Sequence, residues 1–147
     1  MSEDRMLLTS RRRLAASPDE VWAAYADPER LAQWWGPNGF RTTTRTFDFR
    51  TGGTWDYVMH GPDGQDFGGH RTFLEVVEPS RLVARHEGLL HDFLMTVRLD
   101  AVEGGTDMTW ELDFDPNPSN QGLRDIILAA NEENFDRLEA CLKAGKP

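Results

Sequence analysis

One long helical pattern, Ser119–Leu142, limits the fold of this chain more than any other stretch of its sequence. Along it, one stripe of residues recurs every three or four positions and is apolar except at Asn134: Leu123, Ile127, Ala130, Asn134, Leu138 and Cys141. Charged residues fill the opposite side, as in an amphipathic helix that lies on an apolar layer. Pro118 and Ser119 suggest its start, and Gly145 with Pro147 its end. Because the preceding sequence is typical of strands, we predict that this helix packs on a β-sheet.

The length of 147 residues predicts one domain, 1–147, with an ordered core over about 5–144. The net charge is −9, and the only basic run is Arg11-Arg12-Arg13. Nucleic acids and anionic membranes both require concentrated positive charge, so neither is expected as a partner. The arginine run fits the alternating edge of a first strand better than a binding patch.

The single cysteine, Cys141, excludes an internal disulfide and fits a reducing compartment. No segment approaches the roughly 20 apolar residues that span a bilayer, and the first residues lack the pattern of a secretory signal. We therefore expect a soluble, cytoplasmic protein.

Two short helices follow a first strand over residues 5–15. Ser17, Pro18 and Glu20 form the pattern of a capping box at the start of the first helix, which ends at Asp27-Pro28. The second spans Glu29–Trp34. Helices this short must pack on the sheet to be stable.

From Phe40 onward the hydrophobic period changes to two, which predicts strands at Phe40–Phe49, Thr54–His60, Phe67–Val77, Arg81–Glu87, Phe93–Ala101 and Thr106–Phe114. The connections are short, as at Gly61-Pro62-Asp63-Gly64, so the strands should pair sequentially and antiparallel. The expected class is α+β: a curved antiparallel sheet of about six to seven strands wrapped around the terminal helix, with two short helices after strand 1.

Several short motifs occur in the order in which one protein family carries them: Ser17-Pro18-Asp19-Glu20-Val21-Trp22, Trp34-Trp35-Gly36-Pro37, Gly52-Gly53-Thr54-Trp55, Gly61-Pro62-Asp63-Gly64, Glu78-Pro79-Ser80-Arg81-Leu82 and Phe135-Asp136-Arg137-Leu138. On these motifs the chain resembles the START-like superfamily (SRPBCC, helix-grip fold), and most of all homologues of the activator of heat-shock protein 90 ATPase. The resemblance implies a cavity between the curved sheet and the terminal helix. Related branches bind lipids, hormones or polyketides, and some are cyclases or hydrolases, so the fold alone does not select an activity.

Bulky side chains are more numerous than one small core usually requires. Singly, each is best explained as core; together they suit the wall of a pocket for a planar or apolar molecule. The predicted ligand-binding set is Trp35, Phe40, Trp55, Tyr57, Phe73, Phe93, Met95, Trp110, Ile127, Asn131 and Asn134.

Two amides, Asn131 and Asn134, interrupt the apolar stripe of the terminal helix. An amide buried without partners costs about 1–3 kcal/mol, so both should be hydrogen-bonded. Asn131 either meets water at the edge of the stripe or, like Asn134, meets a ligand or ordered water in a cavity.

No catalytic motif is present. The histidines His60, His70, His86 and His91 lack metal-ligand spacing, so neither a metal nor a cofactor is predicted. His70 shares a face of the sheet with Trp55 and Tyr57 if the preceding hairpin loop has two or four residues. It lies on the other face of the sheet if the loop has three. The carboxylates Asp56, Glu75, Glu111 and Asp113 alternate with apolar residues and should mostly face water.

Three functions remain in order of preference. The first is non-enzymatic binding of a small apolar or aromatic ligand. The second is a cyclase-type or hydrolase-type enzyme in which His70, Tyr57 or a carboxylate acts as acid or base. The third is the co-chaperone interaction and stress-response role that the resemblance suggests, ranked lowest because the named relative is larger and uses a further domain. A homodimer through Trp34-Trp35 also stays open.

Overall fold

A computed structural model describes residues 5–88 and 92–144 of the chain. Its elements in chain order are β1 (Met6–Leu14), α1 (Pro18–Ala26), α2 (Pro28–Trp34), β2 (Arg41–Phe47), β3 (Thr54–His60), β4 (Asp66–Val77), β5 (Arg81–Gly88), β6 (Phe93–Val102), β7 (Gly105–Phe114) and α3 (Asn120–Ala144). The predicted α+β order is confirmed. The predicted helix end at Gly145 and Pro147, and His91, lie outside the described residues.

The seven strands form one antiparallel sheet in the order β1-β7-β6-β5-β4-β3-β2. Strands β2 to β7 follow each other as the predicted meander. The first strand joins at the far edge, where Met6 pairs with Phe114 and Leu14 with Thr106. This is the helix-grip arrangement, in which the sheet curves around α3.

The start of α1 has the predicted capping box. Ser17 Oγ accepts from the Glu20 backbone N–H at 3.2 Å, and Glu20 Oε1 accepts from the Ser17 N–H at 3.1 Å. Asp27 ends α1 and caps α2 by accepting from the Glu29 N–H at 3.0 Å. These hydrogen bonds satisfy backbone N–H groups at the starts of the helices, where no partner within the helix is available.

The inner face of the sheet supplies most of the core. Strand β1 alternates strictly: Leu8 and Leu14 are buried, whereas Leu7 is 58% exposed. In the arginine run the outer two side chains are exposed, and Arg12 points toward α3. The run is therefore the edge of a strand, as predicted.

Helix α3 has two unequal halves. In its C-terminal half, Phe135, Leu138 and Leu142 are buried in the core, together with the thiol of Cys141. In its N-terminal half, residues 123–130 are half-buried or exposed, even where they face the sheet. Residues 123–130 thus pack less tightly than the C-terminal half.

Arg12 of β1 anchors that half from one side. Its guanidinium forms ion pairs with Asp136 and Glu139 at 2.7 Å and with Glu132 at 2.9 Å, and it lies 5.2 Å from the ring of Phe135. Three acidic side chains of α3 are thereby bound to the first strand of the sheet.

Arg137 anchors α3 from the other side, on the segment Gln33–Pro37, which we call the tryptophan turn. Its Nη1 donates to the carbonyls of Trp35, Gly36 and Pro37 at 2.9–3.2 Å, and Nη2 donates to the carbonyl of Gln33 at 3.0 Å. One guanidinium thus binds four carbonyl groups at the end of α2 and in the turn that follows it.

Asn134 completes this attachment. Its Nδ2 donates to the Trp34 carbonyl at 2.5 Å, and its Oδ1 accepts from the Gly36 N–H at 3.3 Å. Gly36 has φ +97°, which other residues rarely adopt, so the turn conformation itself depends on glycine.

None of the helices in the described part of the chain is long and apolar enough to cross a membrane.

We expect Arg137→Met to lower the free energy of unfolding by about 2–3 kcal/mol, because it leaves carbonyls of the tryptophan turn without their donor. Urea unfolding measures the change. The matched control is Arg124→Met on the exposed side of α3, which should stay within about 0.5 kcal/mol of the parent. Equal effects of the two substitutions would contradict the anchoring role.

Candidate functional site

A cavity of about 400 Å³ lies between the inner face of the sheet and the N-terminal half of α3. Its wall is formed by Trp35, Gly36, Pro37 and Phe40 near the tryptophan turn, by Tyr57, Met59, Phe67, Gly68, Arg71, His86, Phe93, Trp110, Leu112 and Phe114 of the sheet, and by Leu123, Ile126, Ile127, Ala130, Asn131 and Asn134 of α3. Most of this wall is apolar or aromatic.

Eight of the eleven predicted ligand-binding residues border the cavity: Trp35, Phe40, Tyr57, Phe93, Trp110, Ile127, Asn131 and Asn134. The other three, Trp55, Phe73 and Met95, do not border it and are 0% exposed. Trp55 stacks on Tyr57 with ring centroids 4.1 Å apart, and so supports the wall from behind. Contact of the eight with a ligand stays a prediction.

His70 does not face the cavity. The connection from His60 to Asp66 has five residues, and this odd number places His70 opposite Asp56 on the outer face of the sheet. There its Nδ1 lies 2.5 Å from Asp56 Oδ1. The hydrogen bond from His70, with a second from Thr46, lowers the pKa of Asp56. His70 is therefore not placed to act as an acid or base on a molecule in the cavity.

The same register turns Arg71 inward, and sequence reasoning missed this residue. Arg71 pairs with Trp55 on β3 and with His86 on β5, and only 4% of its surface is exposed. Its Nε donates to Tyr57 Oη at 3.1 Å. The number of residues in the hairpin loop was the signal that could have found it. Any odd number that turns His70 outward also turns its neighbour Arg71 inward.

His86, considered above only as a metal ligand, also borders the cavity. Its ring stacks on Phe93 with centroids 4.6 Å apart, and its Nδ1 lies 3.4 Å from Tyr57 Oη. Burial, and then the positive charge of Arg71, lower the pKa of His86 to about 3. The imidazole is therefore neutral near pH 7.

The remaining titratable candidates lie elsewhere. His60 is hydrogen-bonded to Asp66 and Thr43. At the outer surface, three of the four predicted water-facing carboxylates are ion-paired, in the pairs Glu75–Arg81, Glu111–Arg98 and Asp113–Arg5, and Asp56 is hydrogen-bonded to His70. Over residues 5–88 and 92–144, no three His, Cys, Asp or Glu side chains cluster as metal ligands.

Both amides of the α3 stripe have protein partners, as the cost of burying them requires. Asn134 is bound on both sides to the tryptophan turn, so its role is structural. Asn131 uses its Nδ2 to donate to Ser10 Oγ at 3.3 Å. Its Oδ1 has no partner within the described residues and is the amide group best placed to meet a ligand.

The ring of Tyr57 depends on a glycine opposite it. A Cβ on Gly69 would lie 2.4–2.7 Å from the far end of that ring, which Trp55 holds from the other side. Gly68, in contrast, has open space where its Cβ would be. Gly69, and not Gly68, thus makes room for Tyr57.

Comparison with known proteins identifies relatives over nearly the whole chain. The sequence profile of the family described as activator of Hsp90 ATPase homolog 1-like protein matches residues 15–143. A protein from Arthrobacter aurescens has a similar structure with a TM-score of 0.87 and 27% identity, over 98% of this chain and 89% of that one. A Rhodobacter sphaeroides protein gives 0.84 and 28%, over 95% and 93%.

The fold is also that of the AHSA1-like protein from Aeromonas hydrophila, with a TM-score of 0.77 and 24% identity over 95% of this chain and 93% of that one. A comparison with curated proteins finds no match.

We expect Gly69→Ala to lower the free energy of unfolding by about 1–3 kcal/mol, because the added methyl group displaces the ring of Tyr57 from its stack. Gly68→Ala, one residue earlier in the same strand, is the matched control and should change it by no more than about 0.5 kcal/mol. Urea unfolding of both variants tests this. The interpretation fails if the two alanines are equally tolerated.

The lowered pKa of His86 predicts a loss of stability in acid. In the unfolded chain His86 takes up a proton as the pH falls below 6.5. In the folded chain it does so only when the pH falls to about 3. The contribution of the neutral His86 side chain to the free energy of unfolding is therefore complete above pH 6.5. It declines as the pH falls toward 3, by at most about 1.4 kcal/mol per pH unit.

Replacing His86 with Gln should flatten the dependence of unfolding free energy on pH within this window, as measured by urea unfolding at a series of pH values. His60→Gln is the control at the outer surface. An equal flattening in both variants would show that burial of His86 is not the cause.

Proposed function

This chain belongs to the family of activator of Hsp90 ATPase homolog 1-like proteins, and we propose that it binds a small apolar or aromatic molecule in the cavity under α3 without transforming it. The observation that carries this proposal is the cavity itself. Its volume of about 400 Å³ falls in the range of small-molecule sites, and its wall is mainly apolar, with a few polar groups on one side.

The way α3 is attached also supports binding. The helix is anchored in its C-terminal half, by Arg12 and Arg137, while its N-terminal half covers the cavity without filling it. Ile126 borders the cavity and is nevertheless 65% exposed, so it marks an opening to solvent. A ligand in the cavity would be covered by a helix rather than by a loop.

The polar groups favour binding over acid–base catalysis. His70 and the paired carboxylates named above lie on the outer face, which leaves His86 and Tyr57 as candidates in the cavity. A general base works best with a pKa near the working pH, and that of His86 is lowered to about 3. At neutral pH, His86 is therefore a hydrogen-bonding group and a poor proton acceptor.

Filling the cavity should weaken binding. A panel of aromatic and aliphatic compounds that includes 2-naphthoate, 2-naphthamide, decanoate and decanol is screened by thermal shift, and binders are then measured by titration calorimetry. We expect Ala130→Phe, which directs a ring from α3 into the cavity, to weaken every binder at least about tenfold while the protein stays folded.

The adjacent Ala129 is exposed on the outer side of the same helix, so Ala129→Phe is the matched control and should leave binding unchanged. Stabilisation of the parent by none of the compounds, or equal binding by the Ala130 and Ala129 variants, would refute the proposal.

A further inference from the structure

Arg71 is a buried cation without an anionic partner. It is 4% exposed, lies near the middle of β4 and borders the cavity. No carboxylate lies within ion-pair distance of it in the described part of the chain. Arginine is rarely buried this deeply unless it is paired, since removing a charge from water is costly.

Other arginines of this chain show how the fold satisfies such groups. Arg12 has three carboxylates, Arg85 pairs with Asp115, Arg98 pairs with Glu111, and Arg137 binds four carbonyls. Arg71 is more buried than any of these, and its acceptors are only a phenol oxygen and a thioether sulfur. The contrast points to a partner for Arg71 from outside the part of the chain that the structure describes.

The contacts of Arg71 hold its guanidinium in place without neutralising it. Nε donates to Tyr57 Oη at 3.1 Å, and Nη1 lies 3.0 Å from Met95 Sδ, a weak acceptor. The guanidinium carbon lies 4.7 Å from the ring of Trp35 and 5.3 Å from that of Phe93, where cation–π attraction offsets part of the lost hydration.

These contacts use two of the five N–H donors. Nη2 has no protein acceptor among the described residues, and it belongs to a planar fork whose geometry matches the two oxygens of a carboxylate. The rings of Trp35 and Phe93 fix the orientation of that fork. The guanidinium is therefore preorganised on the cavity wall.

The neighbours of Arg71 limit the charge of the group that it can bind. Tyr57 and the neutral His86 add hydrogen-bonding capacity but no positive charge. One cation balances one negative charge, so a dianionic phosphate would remain half-compensated in an apolar site. The remaining wall near α3, including Leu112, Leu123 and Ile127, suits an apolar body.

We propose that the ligand of this cavity is an apolar or aromatic carboxylic acid, whose carboxylate pairs with Arg71 beside Tyr57 and His86 while its hydrocarbon part lies under α3. This inference rests on the proposed function and adds the chemical class of the ligand. It assigns Arg71 as the residue that selects acids over neutral molecules of the same shape.

The test compares two pairs of probes that differ only in charge: 2-naphthoate with 2-naphthamide, and decanoate with decanol. Each is titrated near neutral pH into the parent protein by calorimetry. At least one acid should bind about tenfold or more tightly than its neutral partner, the range expected of a charge-assisted hydrogen bond.

Arg71→Met retains much of the side-chain volume and removes the charge. It should abolish the preference for the acid while neutral probes still bind. It should also raise the melting temperature of the ligand-free protein, because the buried unpaired charge is gone. If the role of Arg71 were purely structural, the substitution would instead lower the melting temperature. Arg98→Met, at an ion pair on the outer face, is the matched control and should keep the preference.

The outcomes separate the two proposals. If acids and neutral probes bind the parent equally, or if Arg71→Met keeps the preference, the acid class is wrong and the binding function stands. If no probe of either pair binds the parent, both proposals fall.

Discussion

The attachment of α3 to the tryptophan turn is the constraint on which the cavity depends. Arg137 and Asn134 bind that turn through its backbone, and Arg12 binds the other side of the helix to β1. These contacts lie in the C-terminal half, so the helix is held firmly there and extends over the sheet beyond them. The apolar N-terminal half is therefore not forced onto the aromatic strands, and the space between them stays open.

The polar groups of the cavity form one connected set on that aromatic surface. Arg71, Tyr57 and His86 come from neighbouring positions on β3, β4 and β5, and Tyr57 Oη contacts both of the others. Gly69 makes room for the tyrosine ring. The fold thus places a buried cation and a neutral imidazole on an otherwise mainly apolar wall, and this departure from apolar packing supports the binding function proposed above.

Much of the fold could be predicted because its signals are local. Each signal depends on residues only a few positions apart. This holds for the capping box at Ser17, for the alternation in β6 and β7 and for the repeat of three or four residues along α3. The aromatic wall followed from the same alternation, although Trp55, Phe73 and Met95 lie behind the wall instead of on it. Alternation gives the face of a side chain, whereas its depth beneath neighbouring rings depends on packing between strands.

The sequence by itself determined the element order, the antiparallel sheet, the helix that covers it and the need of Asn131 and Asn134 for hydrogen-bond partners. The tertiary structure alone decided what those partners are and which polar residue of β4 faces inward. A side chain changes face with a shift of one residue in register, and the five-residue hairpin connection set that register. His70 therefore lies outside with Asp56, and Arg71 lies inside, in the cavity beneath α3.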